Sequence, residues 1–124
     1  MATSVRPFLM FEGQAEEAMR FYTSLFPGAE MTVAARYPET SKVMRGSFRI
    51  AGQEVQVTDS PVHHAFTFTP AASLFVECES EAELRRLAEA LGAQTLMPVA
   101  SYGFSQLFAW VADKYGVSWQ LNLA

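Results

Sequence analysis

The sequence predicts an α+β fold made of two tandem βαβββ modules whose strands form a cupped, mixed β-sheet cleft. Three observations predict it: two amphipathic helices, strand-like runs in the same order around each helix, and constant offsets between corresponding residues. The chain of 124 residues fits one domain. We therefore predict a single domain over residues 1–124, with module one over about 5–60, a connector over 61–72 and module two over 73–124.

The first module is predicted from one helical pattern and the strand-like runs around it. Apolar residues recur at helical spacing in the segment Gln14–Phe26, and Pro27-Gly28 ends that helix. The predicted strands are Val5–Phe11, Glu30–Arg36, Lys42–Ile50 and Glu54–Thr58. Ala51-Gly52-Gln53 is the predicted turn between the last two strands.

The second module repeats this order. Its helix is predicted over Ser80–Leu91, where Ser80 followed by Glu83 forms a capping box and Gly92 ends the helix. The predicted strands are Leu74–Cys78, Gln94–Pro98, Phe104–Ala112 and Val117–Leu123.

Corresponding positions in the two modules keep a fixed separation. The apolar stripes of the two helices match at a shift of 66, and Gly52 matches Gly116 at a shift of 64. This indicates an internal duplication. Each copy has one helix to cover one face of its strands, so the uncovered faces are predicted to enclose a ligand-binding cleft.

Composition and charge exclude several partners. The net charge of −4 provides no basic surplus for a phosphate backbone, so no nucleic-acid partner is expected. No apolar run is long enough to cross a bilayer and no signal peptide is visible, so no membrane partner is expected. The single cysteine, Cys78, forbids an internal disulfide and favours a reducing, cytoplasmic location. Ten phenylalanines indicate an aromatic core or an aromatic pocket.

Four sequence blocks resemble the PhnB-like branch of the glyoxalase/bleomycin-resistance (vicinal oxygen chelate) superfamily. They are the opening Pro7–Ala18, the hairpin Ile50–Glu54, the connecting Phe66–Ala71 and the closing Tyr115–Gln120. The resemblance implies the paired-module fold, a small-molecule ligand or substrate, and a homodimer, sometimes with swapped halves. Pairing also has a physical reason, since open sheet edges need covering.

Proteins of this branch often carry the label 3-demethylubiquinone 3-methyltransferase. A methyltransferase has to hold S-adenosylmethionine, usually on a glycine-rich loop that follows a parallel strand. The sequence contains no G-x-G run, and Ala51-Gly52-Gln53 is a predicted hairpin turn. Methyl transfer is therefore not expected.

The resemblance also implies four positions for divalent-metal ligands. They fall on Pro7, on Thr58 or Asp59, on Ser73 and on Gln120. Proline has no side-chain donor atom and serine is a poor ligand, which leaves Asp59 and Gln120. Because a tight zinc site normally has at least three protein ligands, the set is incomplete and no tightly bound metal or other cofactor is expected.

Three residues are the candidates for catalysis. Asp59 would be the general base, and Gln120 would polarise or orient a substrate with its amide. His64 would assist proton transfer over the cleft. His63 and His64 point in opposite directions on an extended segment, so exposed or packing histidines are the simpler interpretation.

The candidate ligand-binding residues are aromatic or apolar. Strand alternation predicts that Leu9, Phe11, Phe75, Phe108 and Trp110 face the cleft together with Glu77, and Phe66 lies in the connector. Such residues are more often core than ligand cage. Likewise, Cys78 is best explained as a small buried hydrophobe, and Glu12, Glu16 and Glu17 as helix-start carboxylates.

Three functions stay open at this stage. The first is a cytoplasmic protein or enzyme that binds or transforms a small molecule in the cleft without a tightly held metal. The second is a non-catalytic module that sequesters a ligand, as antibiotic-binding relatives do. The third is a metal-dependent lyase or dioxygenase.

Overall fold

The computed structural model describes all 124 residues, and they form two compact units, Met1–His64 and Ala65–Ala124. Each unit contains one four-stranded mixed sheet and one helix in the order β-α-β-β-β. The predicted tandem modules are therefore confirmed. The boundary between the units lies inside the predicted connector. Neither helix is long and apolar enough to span a membrane.

The first unit contains the sheet order β1-β4-β3-β2, in which β1 and β4 are parallel and the other pairs are antiparallel. Its elements are β1 (Phe8–Phe11), α1 (Ala15–Leu25), β2 (Glu30–Arg36), β3 (Val43–Ile50) and β4 (Gln53–Asp59). The first strand begins at Phe8 rather than at the predicted Val5. Pro7 has no N–H to donate to the ladder, although its carbonyl accepts from the N–H of Gln56 at 2.9 Å.

The β3–β4 turn is shorter than predicted and consists of two residues. Ala51 and Gly52 have φ angles of 50° and 84°. Positive φ at both central positions defines the tight hairpin turn whose twist matches that of its strands. Gln53 is therefore already the first residue of β4.

Helix α1 packs closely on β3 in the core of the first unit. The rings of Tyr22 and Phe48 have their centroids 5.4 Å apart. A Cβ atom at Gly46 would lie 3.0 Å from both the terminal methyl carbon of Met19 and the carbonyl oxygen of Thr32, so this position leaves little room for a side chain. Burial of Tyr22, Met19 and Phe48 stabilises the folded state by about 1.5–3 kcal/mol for each side chain.

The predicted orientation of β1 is wrong by one residue. Leu9 pairs with Val57, which pairs with Gly46 on the face that α1 covers. Phe11 lies on that same face and is buried. Leu9 and Phe11 are therefore under the helix rather than on the helix-free face, where Phe8 stands instead.

The second unit has the equivalent sheet order, β5-β8-β7-β6, with β5 parallel to β8. Its elements are β5 (Ser73–Glu77), α2 (Glu81–Leu91), β6 (Gln94–Ala100), β7 (Leu107–Ala112) and β8 (Ser118–Leu123). Strand β7 begins at Leu107 rather than at the predicted Phe104, so the preceding segment is a loop.

The predicted ends of α2 are confirmed. The Ser80 hydroxyl accepts from the N–H of Glu83 at 3.1 Å, and the Glu83 carboxylate accepts from the N–H of Glu79 at 2.8 Å. Gly92 ends the helix, and a Cβ atom there would collide with the carbonyl oxygen of Ala88. Glycine is therefore required at this end by close approach.

Alternation along β7 separates the two faces of the second sheet. Ala109 and Val111 lie beside Ala88 of α2, so Phe108 and Trp110 face away from the helix. Trp110 pairs with Gln120, which pairs with Phe75. The predicted orientation is thus confirmed for β5 and β7.

Candidate functional site

The Asp59 carboxylate is bound to three backbone amides of the first unit. One oxygen accepts from the N–H groups of Gly13 at 2.8 Å and Ala15 at 3.0 Å. The other accepts from the N–H of Val43 at 3.0 Å. Asp59 is only 2% exposed, although it lines a pocket of about 270 Å³ with Ser60 and other residues.

This geometry gives Asp59 a structural task. Gln14 makes no side-chain cap at the start of α1, and the first amides of a helix have no partner within the helix. Asp59 supplies the missing acceptor from β4, with a negative charge where the helix dipole favours one. Both carboxylate oxygens of Asp59 accept hydrogen bonds from backbone N–H groups, which disfavours its predicted role as general base.

The two histidines lie in a small hydrogen-bonded group after β4. The Glu12 carboxylate accepts from the backbone N–H of His64 at 3.2 Å and lies 2.8 Å from Nδ1 of His63. The hydrogen bond with His63, followed by that with His64, lowers the pKa of Glu12. Nε2 of His64 lies 2.7 Å from the Ser60 hydroxyl. Of the two rings, that of His63 is largely exposed.

A polar network crosses the helix-free face of the second sheet. The indole N–H of Trp110 donates to the hydroxyl of Ser118 at 2.8 Å. The hydroxyl oxygens of Ser118 and Ser73 are 2.6 Å apart. The side-chain N–H of Gln120 donates to Ser73 at 3.3 Å. Strands β5, β7 and β8 therefore hold four uncharged polar side chains in one hydrogen-bonded group, namely those of Ser73, Trp110, Ser118 and Gln120.

An aromatic cluster lies on the same face. The buried ring of Phe108 is 5.0 Å from Phe104, 6.1 Å from Tyr102 and 6.5 Å from Phe75, measured between centroids. The outer rings are exposed, at 63% for Phe104, 57% for Phe75 and 37% for Tyr102. Exposed rings held around a buried one form an apolar surface that is available for contact.

Two further residues singled out from the sequence are Phe66 and Cys78. Phe66 is exposed and lies outside the strands. Cys78 is buried, and burial, followed by the nearby charge of Glu83, raises the pKa of its thiol to about 11. A thiol that stays protonated at neutral pH is a poor nucleophile, which agrees with the interpretation of Cys78 as a small hydrophobe.

The positions that the resemblance assigns to a metal do not fit one. The Asp59 oxygens accept backbone N–H groups, and the Thr58 hydroxyl donates to the carbonyl of Met44 at 2.7 Å. Ser73 and Gln120 are hydrogen-bonded to each other. No group of three or more His, Cys, Asp or Glu side chains is arranged to hold a metal ion.

Two βαβββ modules with these motifs are the arrangement expected of a PhnB-like protein. A family model described as 3-demethylubiquinone-9 3-methyltransferase matches residues 3–122, and the chain belongs to this family. The PhnB protein of Bacillus cereus is 51% identical, with a TM-score of 0.92 over 98% of this chain and 100% of that chain. The PhnB-like resemblance is therefore confirmed.

More distant structures share the fold alone. Protein PA1353 of Pseudomonas aeruginosa is 22% identical, with a TM-score of 0.83 over 98% of both chains. A mutant of the fosfomycin resistance protein FosX of Listeria monocytogenes, solved with Mn(II) and a dihydroxypropylphosphonic acid, is 16% identical. Its TM-score is 0.66 over 98% of this chain and 93% of that chain. No curated protein matched.

Sequence reasoning missed Tyr102, Phe104 and Ser118 as members of the site. The strand pattern predicts that Phe104 belongs to β7, so the loop before this strand was not recognised. Two aromatic residues on either side of Gly103, which has a φ of 91°, were the available signal for an aromatic loop.

Proposed function

We propose that this protein binds a small, partly apolar molecule on the helix-free face of the second sheet, without a tightly held metal. The observation that carries the proposal is the exposed aromatic cluster around Phe108, directly beside the network that includes Gln120. Ligand sites are commonly apolar surfaces with a few convergent polar groups, and this face offers both.

The exposed rings give the face its affinity for apolar surface. Each ring that a ligand covers removes apolar area from water, worth about 25 cal/mol for each Å². Aromatic pairs in offset or edge-to-face geometry add about 0.5–1.5 kcal/mol. An aromatic ligand would therefore be favoured over an aliphatic one of equal size.

We propose binding without methyl transfer, despite the description of the family. Helix N-termini attract the anionic parts of nucleotide-like cofactors through free backbone N–H groups. In the first unit, the N–H groups of Gly13 and Ala15 already donate to Asp59. In the second unit, the Glu83 carboxylate accepts from the N–H of Glu79 and the Ser80 hydroxyl accepts from the N–H of Glu83.

Ligand sequestration is the simplest form of this function, and an enzyme is the alternative. For an enzyme we propose His64 ahead of Asp59 as the group that moves a proton, because its ring nitrogen lies 2.7 Å from the hydroxyl of Ser60. A homodimer and a cytoplasmic location also stay predictions. Sedimentation at several protein concentrations would test the dimer.

The proposed face is tested by titrating methyl benzoate into the isotope-labelled protein and following its amide NMR signals. We expect shifts at Phe75, Phe104 and Phe108, and an affinity about threefold to tenfold weaker in Phe104→Ser, which corresponds to 0.5–1.5 kcal/mol. Phe8→Ser is the matched control, since Phe8 is similarly exposed but lies in the first unit. Equal weakening by the two substitutions, or shifts confined to other residues, would contradict the proposal.

A further inference from the structure

The donor and acceptor roles in the polar network beside the aromatic cluster can be assigned. The indole N–H of Trp110 can only donate, so Ser118 accepts from it. Gln120 donates from its amide nitrogen, so Ser73 accepts from it. What remains is the contact of 2.6 Å between the two hydroxyls, in which either oxygen could be the donor.

Burial decides between the two directions. Ser118 is 1% exposed, whereas Ser73 is half-buried. If Ser73 donated, the proton of Ser118 would be buried without an acceptor, which is unfavourable. Ser118 therefore donates to Ser73, and the proton of Ser73 is available on the open face.

The same reasoning orients the amide of Gln120. Its nitrogen is committed to Ser73, so its carbonyl oxygen is the atom left to accept a hydrogen bond. Phe75 and Trp110 are the direct cross-strand neighbours of Gln120 on this face. A donor and an acceptor, both uncharged, thus lie side by side between aromatic residues.

We propose that the hydroxyl of Ser73 and the carbonyl of Gln120 form a neutral donor–acceptor pair that recognises an uncharged amide or lactam group on an aromatic ligand. This inference rests on the proposed ligand-binding face. An amide presents an acceptor and a donor on adjacent atoms, which matches the pair. An ester has the acceptor without the donor and leaves the Gln120 carbonyl unsatisfied.

A carboxylate is the worst match for this pair. It has acceptors only, so one oxygen would face the carbonyl of Gln120. Glu77 adds negative charge to the same face, where its carboxylate accepts from the amide of Asn122 at 3.0 Å. The expected order of affinity is therefore an aromatic amide, then the ester, then the carboxylate.

The test compares benzamide, methyl benzoate and sodium benzoate, which share one ring, in the same NMR titration at neutral pH. We expect benzamide to bind about fivefold more tightly than methyl benzoate, which corresponds to one net hydrogen bond. Gln120→Leu should remove this preference by weakening benzamide to the level of methyl benzoate. Ser73→Ala removes the donor that the carbonyls of both probes share, so it should weaken both about fivefold. Ser47→Ala, a serine of the first sheet, should preserve the preference.

Two outcomes separate the inference from the proposed function. If benzamide and methyl benzoate bind equally at Phe75 and Phe108, or if the preference survives Gln120→Leu, the donor–acceptor pair is overturned while the ligand face stands. If none of the three probes shifts these residues, the proposed function is overturned together with the inference.

Discussion

The two helices begin in different ways. Helix α2 is capped locally, by Ser80 directly before it. Helix α1 makes no side-chain cap of its own and depends on Asp59, which reaches the N–H of Ala15 from 44 residues further along the chain. Two copies of one module thus satisfy backbone amides at the start of the helix with local side chains in one case and a distant carboxylate in the other.

This difference separates a polar group that serves the backbone from the polar groups of the proposed ligand face. In the first unit, the last helix-facing residue of β4 is Asp59, and its charge is used by the backbone. In the second unit, the last helix-facing residue of β8 is Leu123. The polar residues of β8, Ser118, Gln120 and Asn122, therefore lie on the open face, where they can serve a ligand.

The largest expected effect is that of Asp59→Ala. Loss of the carboxylate leaves three backbone N–H groups without an acceptor, each costing about 1–3 kcal/mol, so the free energy of unfolding should fall by at least about 3 kcal/mol. Urea denaturation followed by tryptophan fluorescence would measure it. Glu30→Ala, an exposed carboxylate on β2, is the control and should change stability by less than about 0.5 kcal/mol. If Asp59→Ala lowered the free energy of unfolding by less than 1 kcal/mol, the start of α1 would not depend on the Asp59 carboxylate.

The local cap of α2 should have a smaller effect. Ser80→Ala removes one acceptor at an exposed helix start and should cost about 1 kcal/mol, whereas Ser80→Asp should retain most of the stability. The same urea titration measures both variants. A loss for Ser80→Ala as large as that for Asp59→Ala would show that the two caps are equivalent.

The smallest expected effect is that of the exposed ion pairs on α1. Hydrogen bonds from Arg36, and then from Arg20, lower the pKa of Glu16 from 4.5 to about 2. A lowered folded-state pKa stabilises the protein above pH 4.5, and this contribution is lost as the pH falls from 4.5 towards 2. Because the groups are partly exposed, Glu16→Gln should cost less than about 1 kcal/mol at neutral pH.

The pH and salt dependence of this variant distinguish the ion pairs from packing. The difference in melting temperature between the wild type and Glu16→Gln should shrink both in acid and in high salt. A difference that stays constant down to pH 2 would mean that the side chain acts by packing instead.

Features encoded by neighbouring residues were predictable from the sequence. The Ser80–Glu83 capping box and the alternation of β7 each depend on a few consecutive residues. Asp59 was identified, but its task was not, since its three amide partners lie 16 to 46 residues away. Long-range backbone partners leave no local pattern in a sequence.

The error in β1 has a similar cause. The shift of 66 that relates the helices carries Phe11 onto Glu77, yet Phe11 lies under α1 and Glu77 on the open face of its sheet. Because side chains alternate, a change of one residue between strand and helix reverses the faces. The duplication therefore predicts the order of the elements but not which face each strand presents.

The most direct test measures stability and benzamide binding together in Asp59→Asn and Gln120→Leu, under conditions in which both variants are folded. The account predicts that Asp59→Asn lowers the free energy of unfolding by more than 1 kcal/mol, since its amide nitrogen meets backbone donors, and leaves benzamide affinity unchanged. Gln120→Leu should weaken benzamide binding about fivefold with a change in stability below about 1 kcal/mol. Loss of benzamide binding in folded Asp59→Asn, with binding intact in Gln120→Leu, would contradict the division between a structural carboxylate and a functional amide.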